Sequence, residues 1–204
     1  MDQLLDGNQE WVREQPPELF EELGRGQRPE YLWIGCADSR IPATMITGQT
    51  PGSIFVHRNI ANVVVHSDSN LLSVVWFALN ALQVRHVLVC GHYGCGGILA
   101  AMSGKRYGFI DNWLNHLRDV YHAHQTELDA IKSEEARERR FAELNVIAQV
   151  HNLARIPFFQ ESWAARSAPS IHGVIYDVND GQLRKLDVLI RGPEDIDPAF
   201  RVTS

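Results

Sequence analysis

Two spacings of apolar residues alternate along the chain and together predict a layered α/β architecture. Short apolar runs bounded by polar or turn residues mark strands at Tyr31 to Gly35, Ser53 to His57, and His86 to Cys90, the last with Val-Leu-Val at its centre. Ile171 to Asn179 alternates, Asp180-Gly181 supplies a hairpin turn, and Gln182 to Ile190 returns as the partner strand. Helical spacing fills the intervals. Leu71 to Leu82 follows a cap at Asp68 or Ser69 and is apolar on nearly every face, which predicts a buried helix. Gly96 to Met102 opens another helix, residues 112–155 are mostly helical by pattern, and Pro157 starts a helix ending near Arg166. Strands separated by helices imply a mainly parallel sheet flanked by helices, with an antiparallel C-terminal hairpin.

The two ends read differently. Leu4, Leu5, Trp11 and Val12 give residues 3–14 a weak amphipathic helix, which Pro16 and Pro17 end. An N-terminal helical arm (1–26) with so little apolar surface is expected to pack on something else, such as a partner subunit. The tail 191–204 holds Pro193 and Pro198 and is expected to be irregular. No shift in composition or internal repeat divides the chain, so 1–204 reads as one domain. The charged run Lys132 to Arg140 reads as a solvated helix face.

Composition narrows the function classes. A chain of 204 residues with a formal charge of −6 and no basic stretch is a poor partner for nucleic acid or an anionic membrane. Leu71 to Val84, interrupted by Ser73, Asn80 and Gln83, is too short and too polar to span a bilayer. The N-terminus shows no basic region ahead of an apolar stretch, so the cytoplasm is the expected location. Three cysteines in a reducing compartment point to metal ligation or catalysis rather than disulfides.

All three lie in two loops placed just beyond strand ends, where α/β sheets collect their chemistry. The first is Cys36-Ala37-Asp38-Ser39-Arg40; the second is Cys90-Gly91-His92-Tyr93-Gly94-Cys95-Gly96-Gly97. Thiolate and imidazole suit zinc, and two thiolates with one imidazole leave a fourth tetrahedral position for water or a carboxylate. Spacing leaves open which thiols bind. Cys90 and His92 can share a strand face, whereas Cys95 follows a glycine in a loop able to fold back. His116, His122 and His124 read as exposed helix residues.

These loops, together with Trp33-Ile34-Gly35 before Cys36 and Phe55-Val56-His57-Arg58-Asn59-Ile60-Ala61-Asn62, closely resemble the β-class carbonic anhydrases. The resemblance runs from about Gln27 to the hairpin His172 to Leu186. It implies one Zn²⁺ per chain bound by Cys36, His92 and Cys95, with Cys90 outside the metal sphere. It implies reversible hydration of CO₂ to bicarbonate and a proton through a zinc-bound hydroxide. It makes Asp38 and Arg40 the catalytic pair: held by Arg40, Asp38 orients that hydroxide; released, it caps the metal and closes the site. Gln27, Phe55, Ile60, Phe77 and Gly96 would line the substrate pocket, formed across a homodimer or a dimer of dimers. In the bicarbonate-regulated subset of the family, residues matching Trp33, Arg58 and Tyr176 bind bicarbonate away from zinc. An arginine fork with indole and phenol donors suits such a planar anion.

Overall fold

A computed structural model describes residues 1–166 and 168–202. In chain order the elements are α1 (Asp2–Glu14), α2 (Pro17–Gly24), β1 (Tyr31–Cys36), α3 (Ala43–Ile46), β2 (Ile54–Asn59), α4 (Ser69–Asn80) and β3 (His86–His92), then α5 (Gly96–Met102), α6 (Asp111–Ala123), α7 (Gln125–Ala130), α8 (Glu134–Ala154), α9 (Pro157–Arg166), β4 (Ser170–Asp177) and β5 (Gln182–Ile190). The strands join in the order β2-β1-β3-β4-β5, parallel except for the antiparallel β4–β5 hairpin. From β1 the chain goes out to β2 on one side and returns to β3 on the other. The reversal sets a topological switch point between the carboxyl ends of β1 and β3, where such sheets bind ligands.

One sheet face carries the main core. Leu32, Ile34, Val87, Val89, Ile171 and Ile175 meet Phe141, Val146, Val150 and Leu153 of α8, all fully or almost fully buried. Two glycines let α8 lie directly on the strands. A Cβ on Gly91 would stand 2.5 Å from Val146 Cγ2, and one on Gly173 3.2 Å from Val146 Cγ1. The other face is thinly covered, by a small cluster of Trp33, Ile41, Ala43, Cys90 and Val174. The Trp33 indole there folds over Gly35, where a Cβ would come within 2.2 Å of Nε1.

Helix α1 ends at Glu14, ahead of Pro16 and Pro17 as the sequence predicts, and Pro17 then opens α2, since proline's fixed φ and missing N–H suit the first helical position. Two expectations are corrected. Helix α4, capped by Asp68 on the Asn70 and Leu71 amides, is not buried all round. It turns Leu71, Val75, Ala78 and Leu79 inward and leaves Trp76 and Phe77 52% and 42% exposed, because only one stripe of it packs on the core. The charged run is not wholly solvated either: Glu138 is buried. Helix α1 has no buried residue, and its Trp11 meets Phe20 of α2 edge-on. The tail forms two short turns, Pro193–Asp195 and Pro198–Phe200, while Ser167, Thr203 and Ser204 lie outside the described residues. Among the described residues no helix is long and apolar enough to cross a membrane.

Candidate metal centre

At the switch point β1 ends on Cys36 and β3 on His92. After β3 the chain turns through Gly94 at φ +66°, a left-handed conformation that suits glycine, and delivers Cys95 to the start of α5. The ligand atoms of Cys36, His92 and Cys95 lie within 4.8 Å of one another, and all three residues are buried. The two sulfurs are 3.9 Å apart. A tetrahedral zinc with bonds of about 2.3 Å would set its thiolates about 3.8 Å apart. His92 Nδ1 donates to the Tyr93 carbonyl at 3.0 Å, which turns the lone pair to Nε2. That Nε2 is buried with no hydrogen-bond partner, an arrangement a bound metal would relieve. The residues therefore fit zinc.

The thiols divide as their surroundings dictate. Cys36 is shifted toward thiolate because it accepts a hydrogen bond from Cys95, aided by the Ala61 amide at 3.4 Å. Cys95 moves the other way, holding the proton that the pair shares. Cys90 sits within β3, and burial pushes its thiol far up, so it stays protonated and packs with Trp33 and Val174. Strand continuity through Cys90 thus resolves what spacing left open.

Asp38 borders the triad, its Oδ2 3.8 Å from His92 Nε2. Arg40 grips it with a fork, Nε to Oδ1 at 2.9 Å and Nη2 to Oδ2 at 2.7 Å, and its own amide adds a third bond at 2.9 Å. The Arg40 hydrogen bonds are the main reason the Asp38 carboxyl lies well below the usual carboxylate range. Arg40 Nη2 also reaches the Gly94 carbonyl at 3.2 Å, joining the two loops. Arg58 donates from Nε to the Cys36 carbonyl at 2.9 Å and from Nη2 to the Asp38 carbonyl.

Sequence reasoning missed the supports behind these loops. Glu138 accepts from the Gly94 amide at 3.0 Å. Asn145 donates to the Ala61 carbonyl at 2.9 Å, and Gln149 accepts from the Val64 amide at 2.8 Å. They pin the left-handed pair Ala61 and Asn62, which aims the Ala61 amide at Cys36. The available signal was polar residues at 138, 145 and 149 on the same helical stripe as Phe141 and Ala142.

A cavity of about 370 Å³ opens beside the triad, lined by Cys36, Asp38, Ile60, Gly96, Tyr107 and Leu114 among others. Ile60 and Gly96 are thus brought to the site. Phe55 and Phe77 pack on each other at 5.9 Å, away from this cavity, and Gln27 lines another with Arg25 and Gly52. Trp33 and Tyr176 share the cluster on the thinly covered face. Of the helix histidines, His122 is exposed, while His116 and His124 are half-buried beside a separate cavity.

Three protein ligands with one position of a tetrahedral ion left over define a catalytic rather than a structural zinc site. The comparisons carry this further. The carbonic anhydrase family model matches residues 31–183. A carbonic anhydrase of Emericella nidulans is 41% identical over 206 residues, covering 99% of this chain and 90% of that protein. A tetrameric β-carbonic anhydrase from Sordaria macrospora superposes with a TM-score of 0.89 at 42% identity, covering 93% of this chain and 98% of that one. The Coccomyxa β-carbonic anhydrase in complex with acetazolamide gives a TM-score of 0.90 at 34% identity, over 94% of this chain and 88% of that one. The chain belongs to the carbonic anhydrase family, in its β class. Its metal is zinc and its reaction the reversible hydration of CO₂ to bicarbonate and a proton.

Proposed function

We propose that this chain hydrates CO₂ with Asp38 and Arg40 as an orienting gate over zinc held by Cys36, His92 and Cys95. The observation that carries the reading is the two-pronged Arg40 grip on Asp38 beside the buried triad. When bound, zinc supplies a Lewis acid that brings a water's pKa toward neutrality. Asp38, kept ionised by Arg40, accepts a hydrogen bond from the attacking water and so turns its lone pair toward the apolar cavity at Ile60. Freed from Arg40, the same carboxylate, 3.8 Å from His92 Nε2, would be near enough to add its oxygen to the residues that would hold zinc and so close the site. Gln27, Phe55 and Phe77 complete the pocket from a neighbouring subunit. The unburied arm and the exposed Phe77 support a homodimer or dimer of dimers. A reducing compartment, the cytoplasm, is the proposed location, supported by three free thiols.

Zinc content and stopped-flow CO₂ hydration test this directly. Cys95→Ser should lose metal and activity together, since a neutral hydroxyl is a poor zinc ligand, while Cys90→Ser keeps both. Full zinc in Cys95→Ser with a metal-free Cys90→Ser would overturn the ligand set.

The Arg58 contacts support regulation by bicarbonate bound near Trp33, Arg58 and Tyr176. An anion that draws Arg58 off the Cys36 and Asp38 carbonyls loosens the Asp38 loop and favours closure. Bicarbonate should then inhibit beyond ordinary product inhibition, and Arg58→Ala should abolish the excess with the oligomer intact. Unchanged inhibition in that variant would confine Arg58 to bracing the loop.

A further inference from the structure

At the end of the sheet opposite the metal centre, β1, β3 and β4 begin side by side with Tyr31, His86 and Ser170 in register. His172 stands two residues further along β4 on the same face. His86 Nδ1 and His172 Nε2 are 3.3 Å apart, and Ser170 Oγ is 2.8 Å from each. Two ring nitrogens and a hydroxyl oxygen thus close a hydrogen-bonded triangle on the thinly covered face, all from half-buried side chains.

We propose that His86 and His172, assisted by the Ser170 hydroxyl, form a second binding site for a divalent transition-metal ion, separate from the catalytic centre. The spacing is the first argument. A tetrahedral ion with metal–nitrogen bonds of about 2.0–2.1 Å holds its imidazole nitrogens about 3.4 Å apart. Donor chemistry is the second, since imidazole suits zinc, nickel and copper. Preorganisation is the third. Both rings rise from neighbouring strands of one sheet, and Tyr31 stacks on His86 with ring centroids 5.6 Å apart. Burial, followed by the charges of Lys185 and Arg191, holds the His172 imidazole below its ordinary pKa. A bound ion would take the place of the hydrogen bonds that now join the two ring nitrogens to the Ser170 hydroxyl. Lys185 and Arg191 also oppose a cation, and no thiolate contributes. The site is therefore weaker than the cysteine-lined centre.

The test uses the zinc-loaded enzyme, equilibrium dialysis against added Zn²⁺, and elemental analysis. Wild type should take up a second equivalent per chain, and His86→Ala and His172→Ala should each weaken it at least tenfold. The first equivalent and CO₂ hydration should be unchanged. If either alanine variant melts early, His86→Gln and His172→Gln, which retain hydrogen-bonding side chains but not an imidazole, take its place. Absence of a second equivalent in wild type at millimolar zinc would overturn the proposal. So would a second equivalent that survives in both variants, which would assign it to other histidines such as His116, His122 and His124.

Discussion

Arg40→Ala isolates the gate from the metal. The substitution removes both prongs of the fork and leaves Asp38 with the residue-40 backbone N–H, 2.9 Å from Oδ1. A well-shielded charge-assisted hydrogen bond contributes about 1.5–3 kcal/mol, whereas exposed ion pairs contribute about 0.2–1 kcal/mol. Arg40 is 52% exposed and Asp38 19%, so the fork lies between these limits, at about 1–2 kcal/mol. That is a factor of about 5–30 in the ratio of clamped to freed carboxylate. With the clamped form as the active one, kcat/KM should fall by up to that factor while zinc stays at one per chain. Arg40→Lys keeps the charge but not the planar fork and should fall between. The pH dependence has a definite sign. Arg40 depresses the Asp38 pKa, so its loss moves that pKa upward, toward about 3.9. The carboxyl is still ionised above about pH 6, and the activity loss should be flat from there to about pH 9. Stopped-flow hydration with a pH indicator, alongside metal analysis, measures both. Wild-type kcat/KM in zinc-replete Arg40→Ala would refute the gate, and a loss confined to the acid side would refute the orientation argument.

Three further outcomes are expected. Gly91→Ala forces a methyl to 2.5 Å from Val146 Cγ2 and 3.1 Å from Ile175 Cδ1, next to a metal ligand. Overpacking of about 1–3 kcal/mol should lower the melting temperature by about 3–10 °C and weaken zinc binding, and a wild-type melt would show that α8 yields freely. Glu138→Ala leaves the Gly94 amide without its acceptor and should cost about 1–3 kcal/mol in urea denaturation, with Glu138→Gln largely restoring it; equal losses would mean that charge rather than acceptance matters. Deleting residues 1–17 should weaken the dimer in sedimentation and reduce activity with it, whereas a fully active, stable monomer would refute the arm's grip on a partner subunit.

The strands were legible because parallel strands buried on both faces appear as continuous apolar runs, as Val87-Leu88-Val89 does. The two ligand-bearing loops were legible because chemistry collects at strand ends. What stayed hidden depends on three-dimensional packing. Spacing does not choose between Cys90 and Cys95; the place of Cys90 inside β3, packed with Trp33 and Val174, does. The Ala61–Asn62 kink breaks a local preference, since neither is glycine, and it is held by Asn145, 84 residues away for Ala61. Glu138 sat in a run that composition marks as solvated, because charge counts do not reveal which helical stripe faces the sheet. Gln27, Phe55 and Phe77, expected in the pocket, do not line the cavity beside the triad within this chain.

The strand order leaves two unlike rims. The β5 rim carries Arg184, Lys185 and Asp187, and charges along an edge discourage another strand from adding to it. The β2 rim has one formal charge, Arg58, and its guanidinium is turned back onto the carbonyls of Cys36 and Asp38. Phe55 and Val56 lie beside it, Val56 39% exposed. Aggregation of the dissociated chain under mild stress should therefore be directional, spreading from β2. A charge placed there, as in Val56→Lys, would improve solubility more than the same charge added to β5.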